Sequence, residues 1–244
     1  KVKIKNMGDY LFKYRGQIPS ILFLLIIPFI FNTDYSLFSE TITQQNKLAS
    51  FFISFCGIII RFYTVGKTPG GTSGRNRKKQ IAKILNTKGI YSIIRNPLYF
   101  GNYLIWLGLS VYTLNTFFTI TLSFIFFAYY RKIIKTEEKY LLKKFGQKFL
   151  IWKNKTPQFF PSFSNYQKDK YTFSLKTVLK REYSSVLATV FTFFYIDTLI
   201  NIKVNTDNII NENLSIALLI SVILSLILRT IKKNTTILNQ KGRT

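Results

Sequence analysis

The chain has 244 residues, 48% of them apolar and 17% aromatic, and carries a formal net charge of +25 with no histidine and one cysteine. Its mean hydropathy is +0.15. This composition excludes an ordinary soluble domain, an intramolecular disulfide, and any general base or metal site built on imidazole; with no Cys/His cluster either, no metal is expected.

In chain order, six apolar stretches read as membrane helices: 18–32, 48–65, 98–114, 116–130, 184–200 and 214–230. The first is short and holds Pro19 and Pro28. No small-residue cleavage site follows it, so it reads as a span and not as a signal peptide. Cys56 lies inside the second stretch and reads as a buried structural thiol. Between the second and third runs "GKTPGGTSGRNRKKQ" (66–80), a glycine-rich basic loop expected to be mobile or to fold over a ligand. The third and fourth stretches nearly abut at Asn115, as in a tight helical hairpin. Segment 131–160 reads as helical, segment 162–183 as polar and irregular, and no internal repeat is evident. The expected fold is all-α: a polytopic transmembrane protein of about six membrane helices with a cytoplasm-facing catalytic pocket. Its expected parts are 1–84 (N-terminal helices and basic loop), 85–161 (catalytic core) and 162–244 (linker and C-terminal helix pair).

Charge fixes the expected topology. Of the 35 lysines and arginines, 33 fall in segments on one side of such a six-span path or at its edge, and only Lys47 and Lys203 fall on the other. By the positive-inside rule the basic side, with both termini, is cytoplasmic. Topology therefore accounts for the positive charge, and nucleic acid is excluded as a partner; attraction to anionic headgroups is an added consequence.

Two stretches carry chemistry. In "GIYSIIRNPLYFGN" (89–102), Asn96-Pro97 reads as N-cap and first residue of a helix. Arg95 then stands at the positive end of that helix, which makes either an anion site at the membrane surface or a snorkelling arginine between interfacial Tyr91 and Tyr99. Gly101 and Gly108 share a helix face and serve either close packing or ligand space. In "KTEEKYLLKKFGQKFLIWKNKTPQFFP" (135–161), helical periodicity puts Ile134, Leu141, Leu142, Phe145, Phe149 and Trp152 on one face with Glu138 at its centre and Glu137 on its flank. A carboxylate there needs a cation, either a ligand ammonium or Arg95, unless it reaches water or is neutralised by the many nearby lysines. The helix is expected to fray near Gly146, and Phe159, Phe160 and Pro161 read as a surface anchor. Asp197, inside the fifth span near its non-cytoplasmic end, is either a functional intramembrane acid or an interfacial one.

These stretches resemble the isoprenylcysteine carboxyl methyltransferase and phospholipid methyltransferase superfamily. Its first motif, G-x-Y-x-x-x-R-H-P-x-Y-x-G, is matched by Gly89, Tyr91, Arg95, Asn96, Pro97, Tyr99 and Gly101. Its second, from E-E-x-x-L through F-G to a T-P-x-F-x-P tail, is matched by Glu137, Glu138, Leu141, Phe145, Gly146, Phe149, Trp152, Thr156, Pro157, Phe160 and Pro161. The resemblance covers 85–161, about a third of the chain. It implies S-adenosylmethionine as methyl donor, a lipid or lipidated acceptor entering from the bilayer, and a location in the bacterial inner membrane. It also implies a donor pocket lined by Tyr91, Arg95, Asn96, Pro97, Tyr99, Gly101 and Glu138, with Arg95 and Glu138 catalytic. Arg95 can equally face an anionic acceptor. One departure stands out: Asn96 replaces the family's usual histidine and cannot carry a proton. That favours O-methylation of a group already ionised, a carboxylate or phosphate, although Glu137, Glu138 or a tyrosine remain as bases. The alternative is an NADPH-dependent membrane reductase of the sterol type, which shares a similar turn but places glutamate after the glycine, where this chain has Asn102. A transporter or scaffold would instead carry charges deep in several spans.

The topology has a direct test. Reporter fusions after residues 40 and 207 are expected to read as non-cytoplasmic and a fusion after 165 as cytoplasmic; the reverse pattern at any of the three overturns the six-span path.

Overall fold

The structure is a computed structural model that describes residues 10, 11, 14, 19–72 and 82–243, with backbone alone for 19–22. Residues 73–81 of the glycine-rich loop lie outside the described residues, and with them the expectation that the loop closes over a ligand. Among the described residues eight α-helices are delimited, in order: α1 (Pro19–Phe31), α2 (Glu40–Lys67), α3 (Ile90–Ile93), α4 (Pro97–Val111), α5 (Thr116–Phe145), α6 (Gln147–Lys155), α7 (Leu175–Val204) and α8 (Glu212–Asn234). Two 3-10 turns, Tyr35–Leu37 and Phe163–Asn165, join them. Among the described residues there is no strand, only a single antiparallel bridge between Gly89 and Gln167.

Each expected span coincides with a helix. Four of them, α2, α5, α7 and α8, are long and apolar enough by themselves to cross a membrane, and the chain is an integral membrane protein. The other two are shorter. At 1.5 Å per residue α1 (13 residues) and α4 (15 residues) measure about 20 and 22 Å against a hydrocarbon core of about 30 Å. They are enclosed by the longer helices: Ile26 and Ile30 of α1 and Ile105 and Leu109 of α4 share one core with Phe118 and Leu122 of α5 and Phe193 and Ile196 of α7.

Helix starts follow local chemistry. Ser39, Asn115, Ser174 and Asn211 each accept a hydrogen bond from a backbone N–H of the first turn of α2, α5, α7 and α8, meeting donors that the helix leaves unpaired. Asn115 also donates to Thr33 Oγ1 (2.9 Å), which seats the α4–α5 hairpin on the end of α1. The expected span over 116–130 and the first half of the segment read as helical over 131–160 form one continuous helix to Phe145. It ends at Gly146, φ +51, a backbone conformation that glycine adopts without a side-chain clash. The expected fray is therefore a sharp break. The apolar stripe carries across it, with Ile134 and Phe149 buried and Leu141, Phe145 and Trp152 half-buried, and only Leu142, just before the break, is exposed (41%).

The closest helix contact is between α2 and α4. A Cβ at Gly57 would lie 2.6 Å from the Gly101 carbonyl oxygen, and one at Gly101 would lie 2.9 Å from the Gly57 oxygen. Ser54 Oγ donates to Ile105 O (3.0 Å) and Asn46 Nδ2 to Val111 O (2.7 Å) across the same contact. Gly101 and Gly108 thus serve packing, the use of small residues common between membrane helices. Asp197 is 1% exposed and paired: it accepts from Lys47 Nζ (2.9 Å), Tyr112 Oη (2.6 Å) and Asn201 Nδ2 (3.2 Å). It ties α7 to α2 and to the end of α4.

Gly108 gives a clean test of this packing. A Cβ there would sit 2.9 Å from Ser54 N. Gly108→Leu is expected to destabilise the protein by at least about 1–3 kcal/mol, read as a lowered thermal unfolding midpoint in detergent. An unchanged midpoint would contradict the close α2–α4 approach.

Candidate active site

The site begins where α4 begins. Proline at 97 pushes the preceding residue out of the helical region, and Asn96 adopts φ −125°, ψ 59° at the N-cap position. Its side chain does not cap the helix as the sequence suggests. Asn96 Nδ2 donates instead to Gln158 O (3.0 Å), in the tail of the second motif.

That bond is one of several lacing the two motifs together. Arg95 N donates to Pro157 O (2.9 Å), Ser162 N to Ile93 O (2.9 Å), and Trp152 Nε1 to Tyr91 O (2.7 Å). Gly89 N donates to Gln167 O (2.7 Å) and Gln167 N to Ser92 Oγ (2.9 Å). The tail's prolines suit this arrangement: Pro157 and Pro161, which lack N–H, leave the pairing to carbonyls and to neighbouring residues. The tail lies across the turn before α4, holding Arg95 by its backbone N–H and Asn96 by its side-chain amide.

Arg95 then reaches α5. Its Nη1 lies 2.6 Å from Glu138 Oε1, and Lys153 Nζ of α6 lies 2.7 Å from Glu138 Oε2. The Arg95 and Glu138 side chains are 10% and 17% exposed, so the pair is largely withdrawn from water. Burial pulls the Arg95 guanidinium below its usual range, while Glu138 acts the other way; an arginine remains a cation through such a shift. Tyr99 Oη donates to Glu137 Oε1 (2.9 Å). Neighbouring carboxylates thus have separate partners, a guanidinium and an ammonium for Glu138 and a phenol for Glu137.

An aromatic surface adjoins these groups. Phe159 packs on Tyr103 (5.8 Å between centroids), Phe127 (4.8 Å) and Phe100 (5.7 Å). Phe160 is 66% exposed, which suits the expected surface anchor.

The structure therefore brings Arg95, Asn96, Tyr99 and Glu138 together with the second-motif tail, and Tyr91 joins through its carbonyl. Pro97 is buried at the helix start, and Gly101 faces α2. Sequence reasoning allowed a nearby lysine on Glu138 but did not single out Lys153, whose spacing of 15 residues across the Gly146 break hides the contact; it missed a second group. Arg61 of α2 is 13% exposed and paired with Glu182 of α7, 3% exposed, at 2.6 Å. Its signal was present: a lone charge inside an apolar span demands a buried partner.

Comparison with known proteins finds similarity over the part of the chain that holds these residues. The phospholipid methyltransferase family profile matches residues 49–148. A cobalt-zinc-cadmium resistance protein, CzcN, of Cupriavidus metallidurans is 39% identical over 83 residues, 34% of this chain and 38% of that protein. The protein-S-isoprenylcysteine O-methyltransferase of Schizosaccharomyces pombe is 31% identical over 84 residues, 34% of this chain and 36% of the enzyme. Its namesake in Saccharomyces cerevisiae is 31% identical over 78 residues, 32% and 33% of the two chains. The matched stretch spans little more than a third of the length of these relatives. No solved structure matches the chain significantly. The stretch matched by the profile contains Arg95, Glu138 and the close α2–α4 contact, and over it the chain is similar to the phospholipid methyltransferase family.

Proposed function

We propose that the chain is an integral-membrane, S-adenosylmethionine-dependent methyltransferase that methylates an oxygen of an anionic lipid or lipidated group. The observation that carries this reading is the meeting of Arg95 and Glu138, 43 residues apart in sequence, in a shielded position beside an aromatic surface. The two relatives named as O-methyltransferases support transfer to oxygen.

The residues fit the donor. S-adenosylmethionine carries a carboxylate and an ammonium on one carbon. Arg95 Nε is buried and has no hydrogen-bond partner in the protein, a donor suited to a carboxylate; Glu138 already faces two cations and suits an ammonium. Lys153, whose side chain is 38% exposed against 10% for Arg95, is the cation that yields Glu138 to that ammonium. Tyr91, Asn96, Pro97 and Tyr99 line the same pocket, and Gly101 lets α2 close behind it. When bound, S-adenosylmethionine supplies a methyl group on a sulfonium, open to in-line attack. The chain's own work is to hold the reacting groups close and aligned. Asn96 moves no proton: its amide does not titrate and is committed to Gln158 O. An acceptor that is already a carboxylate or phosphate needs no base, which agrees with that side chain. Tyr103, Phe127 and Phe159 offer apolar surface for the acceptor's lipid portion. The basic face and the site are cytoplasmic in this reading, in a bacterial inner membrane.

The test uses methyl-tritiated S-adenosylmethionine. Wild-type membranes are expected to transfer label to the organic-solvent fraction, with base-labile label identifying an ester. Loss of a charge-assisted contact costs about 1.5–3 kcal/mol, so Arg95→Ala and Glu138→Gln are expected to bind the donor at least about 10-fold more weakly. Equal donor binding by wild type and both variants overturns the site; no label and no donor binding by wild type overturns the activity.

A further inference from the structure

The C-terminal helix pair lies beyond the stretch shared with the family profile, which ends at 148, yet it holds a buried carboxylate against the site's scaffold. Glu182 Oε2 accepts from both Nε (2.9 Å) and Nη2 (2.6 Å) of Arg61, and Ser185 Oγ accepts from Nη2 as well (3.1 Å). A guanidinium is a rigid planar fork, so gripping one edge fixes where the other edge points. That other edge, Nη1, donates to Asn102 Oδ1.

The donor at Arg61 sets the orientation of the Asn102 amide. Its Nδ2 is thereby turned to Tyr130 Oη, at 3.2 Å. The Tyr130 ring packs on the Tyr99 ring, 4.5 Å between centroids, and Tyr99 Oη donates to Glu137. A continuous line of contacts thus runs from α7 through α2 and α4 to the α5 carboxylates. Gly101 belongs to the same device, because a Cβ there would lie 2.7 Å from Arg61 Cγ. A side chain at 101 would displace the arginine's stem.

Stability alone does not account for this pair. A buried ion pair gains little over well-packed apolar residues of the same volume, and charges within membrane segments mark function by default. We propose that Glu182 is a positioning residue: by clamping Arg61 it fixes Asn102, Tyr130 and Tyr99 and so holds the Glu137–Glu138 carboxylates for the donor. This rests on the methyltransferase reading and gives the C-terminal pair a part in it.

The test compares wild type with Glu182→Gln, Asn102→Ala and Arg61→Lys as full chains in detergent. Asn102→Ala cuts the line while leaving the ion pair intact, and Arg61→Lys keeps the charge but loses the fork; both keep the test alive if Glu182→Gln fails to fold. Hydrogen exchange without donor is expected to be at least about 10-fold faster in peptides covering 130–140 in the variants, and unchanged in 212–234 for Asn102→Ala. Equilibrium binding of tritiated S-adenosylmethionine is expected to weaken about 10-fold in each, and in Glu182→Gln/Asn102→Ala no further than in the weaker single variant. Unchanged exchange over 130–140 overturns the line of contacts whether or not donor binds. Faster exchange with wild-type donor affinity in the variants, or losses that multiply in the double variant, overturns the positioning role. A wild type that binds no donor overturns the methyltransferase reading, and the exchange data then report on the contacts alone.

Discussion

The approach of α2 to α4 is the constraint on which the other contacts depend. With Gly57 and Gly101 presenting backbone to each other, the axes come close enough for Ser54 to reach the Ile105 carbonyl and Asn46 that of Val111. In a membrane bundle, apolar burial does little to drive helices together, so close van der Waals contact and interhelical hydrogen bonds take over that task. Side chains at the crossing would hold the helices apart, and Arg61 could not lie over Gly101. The turn before α4 would then lose its fixed relation to the rest of the bundle. The short length of α4 matters for the same reason: a 15-residue helix does not reach across the hydrocarbon core by itself, and it takes its position from α2 and from the tail laced over its start.

Carboxylates are the scarce groups in this chain, 10 against 35 lysines and arginines. Their placement is therefore informative. Asp197 takes Lys47 at one end of the bundle, Glu182 takes Arg61, Asp169 takes Lys67 (3.4 Å), and Glu138 takes both Arg95 and Lys153. Abundant lysines in the flanking segments set orientation in the membrane; the few acids decide which helices are tied together. The C-terminal residues add a tie without an acid: Arg243 Nη1 donates to Gly66 O and Thr68 O (both 3.0 Å), and Gly70 N donates to Gly242 O (2.9 Å). The described stem of the glycine-rich loop is thereby held at the end of α2.

Much of the fold was legible because it is written locally. Apolar runs placed six helices, and Asn115 and Gly146 marked a hairpin and a break through their own capping and backbone preferences. The facing of Arg95 and Glu138 was legible as one of several alternatives, since a carboxylate in an apolar stripe needs a cation. What could not be read was long-range. Asn96 sits at a cap position by every local rule, yet its amide is taken by Gln158, 62 residues on. The stripe read for 134–152 misses at Leu142 alone, but it gave no sign that the break at Gly146 brings Lys153 to Glu138. Periodicity describes one helix at a time and is silent where a break joins two.

The partner of Arg61 shows how far counting alone can reach. Between 49 and 148, the stretch shared with the family profile, the chain contains only two acids, Glu137 and Glu138. Both are engaged by residues of the site, one by Tyr99 and the other by Arg95 and Lys153. An arginine buried in α2 that needs a carboxylate must then draw it from outside that stretch, and in a bundle the donor helix must lie against α2 at the depth of residue 61. Of the two C-terminal helices, α7 meets that condition, with Glu182 in its first third among Lys180, Arg181 and Tyr183. In a sequence where bases outnumber acids by more than three to one, a lone glutamate at the mouth of an apolar run is therefore a marker of which helix the profile-matched stretch leans on, and here it points to α7.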